Sequence, residues 1–194
     1  MENPQLQSPL NRAATDKFIL IMDLPYLLKK NALNDPYINV EPLQMSIFGT
    51  VVPDIQVPEI DVRFRGQGMH ISSYARPNYP PLTVNFTVDN SYNNYYILWK
   101  WLDVVNLAIQ NIYGGGNATQ LEDLATGTQF EYQTTLYIQA LDEYNQPTLE
   151  FVFTKAFLTG LGSINYSYRT GNQLIESAAT FHYSQLDVKK IIAK

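Results

Sequence analysis

Two histidines, His70 and His182, are the most versatile potential ligands and bases in the chain, and neither lies in an HExxH-type spacing that would set two ligands on one helical face. The sequence therefore predicts no metal centre. His182 falls among the hydrophilic positions of a C-terminal strand, where a surface or contact role is expected. Nucleophilic chemistry has no anchor either: there is no cysteine, and no serine sits in a GxSxG elbow. The adjacent carboxylates Glu122-Asp123 and Asp142-Glu143 fall in polar loops. Paired glycosidase acids are defined by their separation in space, which sequence does not supply, so solvated loop positions are the simpler reading. Gly66, Gly68 and the run 114–116 lack the Lys-Ser/Thr of a phosphate loop and the strand-helix frame of a dinucleotide fingerprint, and read as turns. Tyr92, Tyr95, Tyr96, Trp99 and Trp101 cluster closely enough to stack bases or sugars, but only Lys100 accompanies them. A stacking platform for nucleic acid needs a basic groove beside it, so core and subunit packing explain these rings better. No enzyme and no cofactor is expected.

Composition points the same way. The chain has 194 residues, enough for one compact domain, and 45% of them are hydrophobic, enough for a real core. Only 16% are charged, against about 25% in ordinary soluble domains, and Tyr, Asn, Gln and Thr fill the gap. Aromatic side chains are enriched and Lys and Glu depleted at the centres of protein contacts, so this surface suits large subunit interfaces. The formal net charge of −5 offers no basic footprint for gripping phosphates. No apolar run approaches the ~20 residues of a membrane span, and the first residues have no basic-then-apolar signal pattern. Absence of cysteine is compatible with assembly in a reducing cytoplasm.

The elements that would position these residues are mostly strands. Residues 1–16 carry two prolines and no hydrophobic period, and read as an extended arm that needs something to dock on; residues 17–194 read as a single β domain. Phe18, Leu20, Met22 and Leu24 alternate with Ile19, Ile21 and Asp23, which predicts a strand apolar on one face and nearly so on the other, hence central or sandwiched. Residues 25–42 read as a loop with a short helical turn over 26–30, and 43–52 as a strand. Pro53 and Pro58 then bracket an extended or edge segment, and residues 59–81 alternate only weakly. Leu82, Val84, Phe86 and Val88 against Thr83, Asn85, Thr87 and Asp89 give the clearest period of two. A helix at about 91–112, capped by Asn90 or Ser91, follows from the spacing of Tyr95, Leu98, Trp99, Leu102 and Val105 and ends at the glycine run. Three long strands close the chain, at 130–141, 149–160 and 174–189, the first two forming a hairpin. The predicted fold class is mainly β: two packed antiparallel sheets with one flanking helix.

The strand DKFILIMDLP, the strand-turn-helix LTVNFTVDNSYNNYYILWKWL and the three closing strands together resemble the tail tube proteins of contractile-tailed phages, across roughly residues 17–189. The matching elements are Leu82, Thr83, Val84 and Phe86, the turn around Asp89 and Asn90, and a helix carrying Trp99 or Trp101. That resemblance implies hexameric rings stacked into a tube, with one sheet of each subunit in a continuous barrel around a channel that passes DNA non-specifically. It implies sheath, baseplate and tape measure proteins as partners, and a virion tail location after assembly in the host cytoplasm. Because the arm and the 26–42 loop exceed a minimal tube protein, a tube-end or baseplate protein of the same fold, or the tube of type VI secretion or a phage-like toxin particle, remains an alternative. The residues alone also admit a carbohydrate-binding β-sandwich using Tyr92, Trp99 or Trp101, and a hydrolase, which would need a concave cluster of carboxylates.

Within the tube reading, candidate contact residues divide by location. Tyr137, Gln139, Thr180 and His182 fall on the hydrophilic sides of strands expected to line the channel. Tyr26, Lys29, Lys30 and Tyr37 fall in the loop expected, with the N-terminal arm, to join one ring to the next.

Overall fold

A computed structural model describes residues 12–26, 28–29, 41–73, 78–113, 132–169, 171 and 173–191. Its elements run β1 (Phe18–Met22), α1 (Glu41–Ser46), β2 (Ile47–Val51), β3 (Glu59–Phe64), β4 (Gln67–Ser72), β5 (Leu82–Thr87), α2 (Asn93–Tyr113), β6 (Thr134–Leu141), β7 (Pro147–Leu161), β8 (Glu176–His182) and β9 (Gln185–Lys190). All pairings are antiparallel, as expected.

The long strand β7 organises the sheets. Residues 149–154 pair with β9 and residues 157–161 with β8, so β8 and β9 follow one another along the whole of β7. On its first half β7 also pairs with β6, and β6 with β1; β8 pairs with β5, and β5 with β2. The seven strands therefore bend into two sheets, β1-β6-β7-β9 and β7-β8-β5-β2, joined where β7 changes partner. Register shifts mark that bend, and Lys155 within it takes a positive φ of 54°. A bulge of this kind sharpens strand twist and lets one strand serve two sheets.

The concave side holds the core. Leu20, Met22, Leu136, Ile138 and Phe153 reach in from one sheet, Leu82, Val84, Phe86, Ala179 and Phe181 from the other, and Ile97, Leu98 and Trp101 of α2 between them. Of the two tryptophans, Trp101 is fully buried, its ring edge-on to Phe181 at 5.6 Å and its indole N–H donated to the Tyr132 carbonyl at 3.1 Å, whereas Trp99 is exposed. Gly162 lies close against β8, where a Cβ would be 2.9 Å from the Ala178 nitrogen.

Five expectations change. The run 174–189, expected as one strand, is two, β8 ending at His182 and β9 starting at Gln185, each pairing a different part of β7. The strand over 18–22 is at an edge: among the described residues β1 pairs with β6 alone, and Ile19 and Ile21 stay exposed on its outer side. Residues 43–46 are helical, since the Leu43 side chain enters the core and the Ser46 hydroxyl donates back to the Leu43 carbonyl. The weak alternation at 59–72 is a complete hairpin turning on Arg65 and Gly66, both with positive φ. The helix is capped by Asp89, not Asn90 or Ser91: its Oδ1 accepts the amides of Ser91 and Asn93 and its Oδ2 that of Asn94. The glycine run 114–117, the loop to residue 129 and most of the 1–16 and 25–42 segments lie outside the described residues.

Candidate assembly interface

The outer face of the bent sheet follows from the same alternation that builds the core. On β6, Leu136 and Ile138 point inward, so Tyr137 and Gln139 stand outward. Tyr137 lies in register with Ile21 on one side and Val152 on the other, and the Gln139 amide donates to Glu150 Oε1 at 2.9 Å. On β8, Ala179 and Phe181 point inward, leaving Thr180 and His182 outside. Thr180 is in register with Thr83, and His182 stacks on Phe157 with ring centroids 6.3 Å apart. Tyr137 and Gln139 are thus neighbours on one sheet, and Thr180 and His182 on the other, around the bend of a shared outer surface.

That surface is sparsely charged, with Glu176 beside Thr87 on the second sheet. Strand positions Thr83, Asn85, Thr159 and Thr180 supply hydroxyl and amide groups, while Glu150, Asp187 and Lys189 contribute the formal charges of the first sheet. Its lateral strands are open: among the described residues β1 and β9 each pair on one side only. An edge presents a row of unpaired N–H and C=O groups and is a template for another chain.

The loop candidates are placed in part. Tyr26 and Lys29 lie on a short helical turn just after β1, in which the Lys29 amide donates to the Pro25 carbonyl at 3.0 Å while Leu28 anchors the turn in the core. Lys29 pairs with Asp23 at 2.7 Å in solvent, and Tyr26 is exposed. Lys30 and Tyr37 lie outside the described residues.

Sequence reasoning missed the strongest exposed feature, the β3-β4 hairpin. The signal was present in the order Glu-Ile-Asp-Val-Arg-Phe before Arg65-Gly66, which a two-residue turn makes self-pairing. A second aromatic group lies where α2 begins. There the Tyr166 hydroxyl has its ionisation pushed up, chiefly by a hydrogen bond with the Tyr92 side chain, and the Tyr95 hydroxyl donates weakly to the Gly162 carbonyl at 3.4 Å. Lys100 sits over the rings of Tyr96 and Trp99 at 5.7 and 5.3 Å, which orders this face of the helix. Among the described residues no cluster of three or more His, Cys, Asp or Glu is placed to hold a metal, and no helix is long and apolar enough to cross a membrane.

The fold is thus two open-edged antiparallel sheets bent over one strand and filled by a helix. The chain matches the phage tail tube protein family over residues 13–189 and belongs to that family. The fold is also that of a chain in the anti-feeding prophage cap, the tube terminating cap, at TM-score 0.59 and 15% identity, covering 93% of each chain. A chain in the sheath-tube complex of an extracellular contractile injection system in its extended state matches at 0.56 and 12% identity, over 98% of this chain and 100% of that one. A third, in the sheath/tube terminator of the same type of system, matches at 0.51 and 11%, covering 92% and 97%. No curated protein matches the chain. The protein is a structural protein of the phage tail tube type.

Proposed function

We propose that this chain is the tube subunit of a contractile phage tail, closing into hexameric rings that stack around a channel through which DNA passes. The observation that carries the reading is the pair of open strands, β1 and β9, on opposite edges of one sheet, within a chain of the tail tube family. Pairing the β1 edge of one copy with the β9 edge of the next is a heterologous contact, and rotation that closes it makes a ring. The ring then has a continuous sheet, and Ile19 and Ile21 gain neighbours. Tyr137, Gln139, Thr180 and His182 become wall positions on this reading, and Tyr26, Lys29, Lys30 and Tyr37 positions facing adjacent rings or the sheath. A wall of hydroxyls and amides gives DNA phosphates little to grip, which suits passage more than binding. Sheath, baseplate and tape measure proteins are the partners this role requires, and the virion tail its location.

A second reading, a tube-end subunit, is favoured by the likeness to a tube terminating cap and a sheath/tube terminator. The purified protein separates the two. Negative-stain images at high protein concentration should show six-fold rings joined into tubes for a tube-body subunit, and single rings for a terminal one. A monomer by sedimentation at every concentration overturns both.

A further inference from the structure

The aromatic cluster of the sequence divides in the fold: Trp101 is buried in the core, while Tyr92 and Trp99 stay exposed. Tyr92 is also strained. Its φ of 59° lies in the left-handed region, which a bulky side chain adopts only where its surroundings impose it. The Tyr92 amide donates to the Asp89 carbonyl at 3.0 Å and the Tyr96 amide donates to the Tyr92 carbonyl at 2.9 Å, so the residue is pinned between the capping turn and the first turn of α2. Glycine would hold that backbone without strain, so what the position adds is a ring. A hydrogen bond between the Tyr92 and Tyr166 side chains fixes it in place.

Tyr166 belongs to the connection from β7 to β8, where it lines a hollow of about 570 Å³ together with Asn165, Ser167, Tyr168, Gln173 and Glu176. Both ends of that connection are tied to the body of the fold. The Gly162 carbonyl accepts the hydroxyls of Ser177 at 3.1 Å and Tyr95 at 3.4 Å, and the Ile175 carbonyl accepts the Val88 amide at 2.8 Å. The hollow therefore offers amides, hydroxyls, one carboxylate and two tyrosine rings, and none of its described lining residues is basic. Nucleic acid is a poor match, because stacking on rings needs cations beside it, and Lys100 is placed over Tyr96 and Trp99 with Asp103 3.9 Å away. An apolar ligand matches no better: Leu174 and Ile175 are the only aliphatic side chains among the described lining residues. Exposed ring faces beside neutral hydrogen-bonding groups suit a ligand with C–H faces and many hydroxyls.

We infer that Tyr92 and the hollow beside Tyr166 form a binding site for a neutral oligosaccharide, with sugar faces on the rings of Tyr92, Tyr166 and Tyr168 and sugar hydroxyls on Asn165, Gln173 and Glu176. This is a second function, separate from assembly. It uses neither of the open strands β1 and β9, so it does not depend on ring closure.

Titration calorimetry with cellohexaose, chitohexaose and maltohexaose, and with an oligothymidylate alongside, tests it on the full chain. At least one of the three sugars is expected to bind at millimolar concentration or below, and the oligothymidylate is not. Tyr92→Gly suits the left-handed backbone and should keep the melting temperature close to wild type while weakening sugar binding by about tenfold or more. Tyr168→Ala removes a fully exposed ring, so it keeps the fold and should weaken binding in the same direction. No binding by any of the three sugars, binding of the oligothymidylate in their place, or sugar binding that both variants leave intact overturns the inference. None of these results touches the tube reading, which stands or falls on rings.

Discussion

The strand β5 and the β3-β4 hairpin are written in the same two-residue alphabet and meet opposite fates. In β5, Leu82, Val84 and Phe86 are fully buried while Thr83, Asn85 and Thr87 stay half-exposed. In the hairpin, Ile60 and Val62 alternate just as regularly with Glu59, Asp61 and Arg63, yet every described side chain is exposed. The difference lies in what stands around them. β5 has β8 and β2 on its two sides and lies against a core that α2 fills, whereas β3 and β4 have only each other. Alternation fixes which side of a strand is apolar; it does not say whose apolar surface will cover it.

The sharpest way to break this contrast is one substitution made in both places. In β5, Val84→Asp puts a carboxylate among Leu82, Phe86 and Phe181, with no buried cation among the described residues. Burying an unpaired charge or a neutralised acid there should cost on the order of 4 kcal/mol or more, enough to abolish cooperative folding. Urea denaturation followed by circular dichroism checks it, and a variant within about 1 kcal/mol of wild type would mean that β5 is not a core strand.

Asn94→Ala tests the polar link that holds the core side together. The fully buried Asn94 amide donates to the Thr87 carbonyl at 2.8 Å and the Ser46 hydroxyl at 3.0 Å, and its Oδ1 accepts from the Asp89 amide at 3.2 Å and the Tyr95 amide at 2.8 Å. One side chain thus ties β5, α1 and the start of α2. Truncation strands several buried partners at once, for an expected loss of about 2–3 kcal/mol in the same denaturation curves.

How much of this was legible beforehand differs between the two regions for the same reason. β5, α2 and the β6-β7 hairpin each bury their apolar face inside the chain, so local period and global packing agree, and the helix expected at about 91–112 is found at Asn93–Tyr113. β1 was expected in the middle of a sheet because both its faces are apolar. That inference from Ile19 and Ile21 assumed the cover to be intramolecular, and the chain instead leaves them at an edge. Residues 43–46 mislead in the opposite way: β-branched neighbours suggest a strand, but the Gln44 side chain donates to the Met22 carbonyl at 3.0 Å and Leu43 packs in the core, a tertiary demand that no local window contains. The cap at Asp89 was missed because Ser91 and Asn90 are equally good capping types, and only the positive φ of Tyr92 tells which side chain can reach the helical amides.

Tyr183 packs edge-on against Phe153 of the core at 4.9 Å and stacks on Tyr79 at 5.4 Å. Among the described residues its buried hydroxyl has no partner, so Tyr183→Phe should stabilise the monomer by about 1 kcal/mol at neutral pH. The pH dependence has a definite sign. In the folded chain the phenol keeps its proton up to about 12, chiefly because of burial, whereas an unfolded tyrosine ionises near 10. The unfolded state therefore releases its proton first: the stabilising contribution is complete below pH 10 and is lost as pH rises towards 12. Denaturation curves at pH 8 and pH 11 should show this alkaline decline in wild type and a smaller one in Tyr183→Phe. Equal declines would mean that the Tyr183 phenol ionises in the folded chain as it does in the unfolded one.

The smallest effect carries the most discrimination. Val62→Asp repeats the β5 substitution in the hairpin, where the side chain faces water and its cross-strand partner Met69 is half-exposed. Removing a partly exposed methyl pair and adding a solvated carboxylate should change the monomer's stability by no more than about 0.5 kcal/mol. In denaturation the two aspartates thus differ by several kcal/mol despite identical chemistry and identical alternation around them. If Val62→Asp instead unfolds the monomer as Val84→Asp does, the hairpin is being held by its own chain, and the contrast between a region that completes itself and one that waits for a neighbour disappears.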